Sequence, residues 1–308
     1  MFEKPEFSII LCTANRKEPL RACLENILLQ SIPPEQYEII VINNVPEDDV
    51  RVRSVIHDLG ASEKIRYSFE EEEGLSPARN HGITLAKADI LVFIDDDALA
   101  EPTWLEELLK TYCEHPDAAV VGGKIRLFWE GDVPGWLHPA LYGYLGELDY
   151  GEGVFPIQTN QRLGGGNFSI EKSWLEKCGG FSHQLGRNHK SLLSGEETEL
   201  FIRVWDQGGQ CYYNSEAIVM HPAPLHRMNK QFFRQRVYWG ARSEARIDRI
   251  HFPQQIALKI FSKLIRLPYH LSFSAWYGIT NQPAFSFLWE TFYLNTLGYI
   301  REFLCNGK

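Results

Sequence analysis

Apolar runs that end in polar residues recur through the first hundred positions. FSIILCT (7–13), YEIIVINN (37–44), a short run near 65–69 and DILVFIDDD (89–97) alternate with segments of helical spacing. One of these, PLRACLENILLQS (19–31), puts Leu20, Cys23, Leu24, Ile27 and Leu28 on one face, and others lie near 49–59 and at 76–88. A strand with one wet face alternates apolar with polar residues; these strands are apolar almost throughout, so both faces must be covered. The pattern predicts an α/β fold, a mostly parallel sheet flanked by helices. Ligands of such sheets gather at the carboxyl ends of the strands. Thr13, Asn43, Asn44 and the triplet Asp95 to Asp97 all fall at such ends.

Beyond the triplet, 102–115 reads as a helix with Pro102 in its first turn, and 118–129 as a strand. Residues 130–160, rich in Gly, Pro and aromatics, read as a long loop and a candidate acceptor surface. The six cysteines form no C-x-x-C pair, which argues against a disulfide framework or a zinc knuckle and fits a reducing cytosol. No run of eighteen apolar residues or signal-peptide core is present, so a cytoplasmic protein without a transmembrane span is expected.

Charge divides the 308 residues unevenly. From His226 onward there are 12 Lys/Arg against 4 Asp/Glu, and before it 19 against 36. This predicts an acidic body over 1–225 and a basic, helical extension over 226–308. Within the extension, QIALKIFSKLIRLPYHL (255–271) places Ile256, Ile260, Leu264 and Leu267 on one face. Two readings fit that segment: peripheral contact with the inner face of an anionic membrane, or packing against the body with its lysines in water. An acidic body without a nucleic-acid-binding motif argues against a nucleic-acid partner.

The motifs FSIILCTANR, YEIIVINN, GLSPARNHGITLAKADILVFIDDDA, GGGNFSIEKSWLEKCGGF and LLSGEETELFIRV occur in an order and at intervals that resemble a family 2 glycosyltransferase of the GT-A fold, over roughly residues 7 to 222. The resemblance implies inverting transfer of a sugar from a nucleoside diphosphate sugar, UDP first and GDP or dTDP after it, to a glycan or lipid-linked acceptor. It also implies Mn²⁺ or Mg²⁺ at a D-x-D-type motif. A divalent cation makes three adjacent carboxylates tolerable and offsets charge on the leaving diphosphate. In an extended chain Asp95 and Asp97 point to one side and Asp96 to the other.

By the family's pattern Asp97 is the metal ligand, and Asp95 or Asp96 holds the ribose or donor sugar. His221, after the apolar run AIVM, matches a further metal ligand, with His226 as runner-up. Glu197 stands where the family places an aspartate base and is expected to take the acceptor's proton, with Glu196 second. Thr13 and Asn15 match base contacts. Asn44 replaces an aspartate that meets a uracil NH, and Arg79 matches a base or phosphate contact. Gly165, Gly166 and Asn167 are placed near the donor sugar and acceptor, and Arg234 and Arg236 beside the acceptor groove. Two rivals remain. A nucleotidyltransferase would be expected to carry a Gly-rich basic loop after the first strand, and a degenerate sugar-nucleotide-binding protein is favoured only by Asn44 and Glu197.

Overall fold

Alternate residues of each central strand feed two cores on opposite faces of one sheet. In β1 (Phe7–Thr13) Ile9 and Leu11 join one core and Ile10 the other; in β2 (Tyr37–Asn43) Ile39 and Val41 are set against Ile40 and Ile42. In β4 (Ile90–Asp95) Val92 and Ile94 are set against Leu91 and Phe93. The first core takes in α1 (Lys17–Ile27), α2 (Asp49–Asp58) and α4 (Trp104–Glu114). The second takes in α3 (Leu75–Leu85), α5 (Lys172–Cys178) and α6 (Glu196–Asp206). Helices on both faces are the physical reason for the uninterrupted apolar runs.

The computed structural model describes residues 4–14, 16–61, 63–187 and 191–305. Among these the sheet has nine strands, the others being β3 (Ile65–Phe69), β5 (Leu99–Ala100), β6 (Ala118–Trp129), β7 (Val154–Pro156), β8 (Asn167–Glu171) and β9 (Gln210–Ala223). Their order is β3-β2-β1-β4-β8-β6-β9-β5, with β7 beside β9. The first four strands in this order are parallel. β8 then runs antiparallel to β4 and β6, and β5 and β7 run antiparallel to β9, so the sheet is mixed. β1 lies between β2 and β4, which makes the carboxyl ends of β1 and β4 the switch point where a crevice opens. Their register pairs Cys12 with Asp95 and so brings Thr13 level with the aspartates.

The chain divides into two compact units. One holds the described residues of Met1–Leu127, Glu147–Gly186 and Glu196–His221, and the other those of Phe128–Gly146, Arg187–Gly195 and Pro222–Lys308. The expected boundary at 225 lies close to the start of the last stretch, and the second unit also takes up part of the loop 130–160. That loop carries a 3-10 turn over Pro139–Leu145, and Trp136 packs edge-on against Phe233 and Phe287.

The second unit is built on α7 (Lys230–His251), α8 (Ile256–Ile279) and α9 (Pro283–Cys305). The Asn229 side chain caps α7 by accepting from Phe232 N–H at 2.9 Å. The fully buried Glu302 of α9 accepts from Arg242 at 2.7 Å, Arg246 at 2.6 Å and Arg249 at 3.4 Å, all on α7. A carboxylate buried that deeply needs this many charged donors to offset its lost hydration. Arg234, expected beside the acceptor groove, is instead engaged by Glu290 through two nitrogens. The arginine-rich stretch thus serves first to join α7 to α9.

Candidate active site

The end of β4 sorts the three aspartates. Asp96 turns inward, is buried, and accepts from the Thr13 hydroxyl at 2.7 Å and from Arg16 Nη1 at 3.1 Å. Burial pushes its carboxyl up to about 7 against the opposing pull of Arg16. Asp95 and Asp97 turn the other way, toward His221 on β9, and one ligand atom from each of the three residues lies within 4.8 Å of the others. His221 Nε2 is 3.6 Å from Asp97 Oδ1.

This trio suits one divalent cation. Ligands about 2.1 Å from a shared ion stand at most about 4.2 Å apart, so small side-chain movements close the set. The His221 nitrogen that faces Asp97 is Nε2, which is therefore the one placed to join such a set. Two carboxylates and an imidazole form an oxygen-and-nitrogen donor set that a divalent transition-metal cation accepts. His226, the runner-up, belongs to the second unit.

Arg16 was not singled out in the sequence. Its guanidinium is 2.5 Å from Asp97 Oδ2 and also contacts Asp96, so it balances part of the triplet's charge. The signal was available: a basic residue in the turn after β1 faces whatever ends β4, because the two strands pair. Asn15, in the same turn, lies outside the described residues.

Opposite the aspartates stands a second acid–base cluster. Arg79 on α3 is buried, donates to Glu196 Oε1 at 2.7 Å and to the Gly165 carbonyl at 2.7 Å, and lies 3.8 Å from Asp95. The guanidinium expected at a base or phosphate is therefore committed to the protein, tying α6 and the glycine loop to α3. Glu196 is buried with this partner. Glu197 is partly exposed, and its pKa is raised by burial and by the charge of Glu196, with Arg79 opposing.

The glycine loop passes between these clusters. A Cβ on Gly165 would sit 3.3 Å from the Glu197 carboxyl carbon, and one on Gly166 would meet Asp95 Oδ2 at 2.7 Å. Only a residue without a side chain lets the backbone pass so close to Asp95. Gly166→Ala is expected to leave the fold intact, displace the Asp95 carboxylate and weaken Mn²⁺ binding by about tenfold or more. Calorimetric titration with Mn²⁺ checks this, and unchanged affinity would remove Asp95 from the ligand set.

Asn167 has a different job from the one expected of it. Its buried amide donates to the Lys124 carbonyl at 2.9 Å and the Ala217 carbonyl at 2.8 Å, and accepts from Trp104 Nε1 at 2.8 Å. With both donors and its oxygen engaged, it braces β8 against β6, β9 and α4, and so fixes the backbone from which the glycine loop leaves. Asn44 donates to the Gly74 carbonyl at 2.8 Å, holding the end of β2 to the start of α3. Asn43 is buried and folds its amide back onto Val45.

Comparison with known proteins bears on the family and the fold. Residues 8–179 match the glycosyl transferase family 2. The chain is 29% identical over 252 residues to the glucosyl-dolichyl phosphate glucuronosyltransferase of Haloferax volcanii, covering 80% of this chain and 78% of that protein. It is 25% identical over 265 residues to the glycosyltransferase AglE of the same organism, covering 86% of this chain and 82% of that one. In fold it is similar to S. aureus TarS 1-349, solved in complex with UDP-GlcNAc, with a TM-score of 0.55 and 15% identity over 77% of this chain and 65% of that one. With a family match over more than half its length, carried on a GT-A sheet, the chain belongs to glycosyl transferase family 2 and is a glycosyltransferase.

Proposed function

We propose that the protein moves a sugar from a UDP-sugar to a lipid-linked acceptor with inversion. In this reading Asp95, Asp97 and His221 hold a divalent cation and Glu197 takes the acceptor's proton. The observation that carries the reading is the convergence of those three ligands at the carboxyl end of β4. When bound, the cation supplies Lewis-acid neutralisation of the departing diphosphate. Thr13 and Asp96 form the inner wall, and Arg16 adds positive charge where the diphosphate would leave.

Glu197 is better suited than Glu196 to accept a proton, because Glu196 is locked to Arg79. A raised pKa also makes the ionised Glu197 carboxylate more basic than an ordinary glutamate. Arg79 and Glu196 position it. The first relative's name describes transfer onto a glucosyl-dolichyl phosphate, which supports a lipid-linked acceptor here, and the TarS structure holds UDP-GlcNAc, which supports a uridine nucleotide.

Incubation with UDP-, GDP- and dTDP-sugars, with and without Mn²⁺, tests the reading. The expected result is UDP release from a UDP-sugar only when the cation is present. Pyrophosphate release would indicate nucleotidyl transfer, and donor binding without turnover would indicate a degenerate site.

A further inference from the structure

We propose that Asn80 and Phe181 are positioning residues for the transfer reaction, a clamp that fixes the Arg79 guanidinium against Glu196. Arg79 commits both terminal nitrogens to the protein, one to Glu196 and one to the Gly165 carbonyl, each at 2.7 Å. Two aromatic rings close on the same group. The guanidinium carbon lies 5.3 Å from the Phe181 ring centre and 5.8 Å from that of Phe93. At these distances cation and ring attract, and more strongly where water is excluded. Phe181 is 2% exposed and meets Phe93 edge-on at 5.2 Å, so ring and guanidinium are buried together.

Asn80, the residue after Arg79 on α3, holds Phe181 in place. Its amide accepts from Phe181 N–H at 2.8 Å and donates to the Phe181 carbonyl at 2.9 Å, pairing with that backbone as a strand would. The amide nitrogen also lies 3.1 Å from His183 Nε2, and because it can only donate, the ring nitrogen accepts. Both polar atoms of Asn80 are thus engaged. A Cβ on Gly180 would collide with the Asn80 side-chain oxygen, so only glycine lets the chain approach this closely. The same strap is tied to α6. Arg203 donates to the carbonyls of Cys178 at 2.5 Å, Gly179 at 2.9 Å and Gly180 at 2.7 Å, while bonding Glu199 of its own helix at 2.7 Å. Residues 178–181 therefore bridge α3 to α6, the two helices that the Arg79–Glu196 pair also joins. Two hydrogen bonds leave the long stem of an arginine free to shift with its partner; a ring fixed through its own backbone removes that freedom.

The inference rests on the reading of Glu197 as the base that Arg79 and Glu196 position, but its first test needs no substrate. In the full chain labelled with ¹⁵N-arginine, the Arg79 guanidinium signals are identified by their loss in Arg79→Lys. Slow rotation and the currents of two rings should set them apart from those of exposed arginines. Asn80→Ala and Phe181→Leu are each expected to move them toward the exposed arginines, with an unchanged circular dichroism spectrum. Signals that stay in place in both variants overturn the proposal. The second test is steady-state UDP release from the donor that the panel above identifies. Asn80→Ala should lower kcat about tenfold with the donor KM within about threefold, the signature of a displaced support. In Arg79→Lys the same substitution should cost nothing further, because no fixed guanidinium remains to be positioned. A full further loss there would place the effect of Asn80 elsewhere and overturn the inference. Unchanged turnover in Glu197→Gln would end the base reading alone, since the arginine signals report the clamp without it.

Discussion

Asp97→Asn is expected to abolish cation-dependent UDP release, lowering turnover by about 10²-fold or more with the fold retained. The estimate follows from the several kcal/mol that a bound cation contributes to a departing diphosphate, at tenfold per 1.4 kcal/mol. Asp97 is the aspartate with the most to lose. One of its oxygens is 3.6 Å from His221 Nε2 and the other is 2.5 Å from Arg16. The amide must present its NH₂ to one of these groups, turning an attractive contact into one between two donors or removing a ligand. Steady-state UDP release across a Mn²⁺ series, with Mn²⁺ affinity measured separately, separates lost binding from lost chemistry. Wild-type turnover in this variant would end the cation assignment at Asp95, Asp97 and His221.

The parallel half of the sheet was legible in the sequence because both of its faces are covered, so that β1, β2 and β4 are apolar almost throughout. The division of the aspartates was half legible. Strand alternation separates Asp96 from its neighbours, but pairing Asp95 with Asp97 and His221 depends on β9, which arrives from more than a hundred residues away. Separation along the chain also hid Asn167, which looks like a loop residue beside three glycines until β6, β9 and α4 close around its amide. Arg79 was read toward the ligand on the family's pattern; its partners Glu196 and Gly165 come from other segments. In α8 periodicity found an apolar face, yet the helix is apolar on two sides. Which side is covered depends on α7 and α9, not on the segment's own sequence.

Glu197→Gln is expected to reduce sugar transfer by about 10²- to 10⁴-fold, the range that a positioned base supplies, while donor affinity stays within about threefold. The amide is nearly isosteric but cannot accept the proton of the acceptor hydroxyl. The pH profile adds a sharper requirement. Burial and the neighbouring Glu196 charge hold the Glu197 pKa above the ordinary carboxylate range. A base works only when ionised, so kcat must fall as pH drops through that raised value, with an acid limb well above where an ordinary glutamate titrates. In Glu197→Gln the residual rate should lose this limb. Glu197→Asp keeps the charge but withdraws the oxygens by one methylene, so partial activity is expected with the limb retained. A limb that survives in Glu197→Gln would transfer the base role to another carboxylate, and a large loss of donor affinity would make Glu197 a supporting residue of the glycine loop, whose Gly165 it faces.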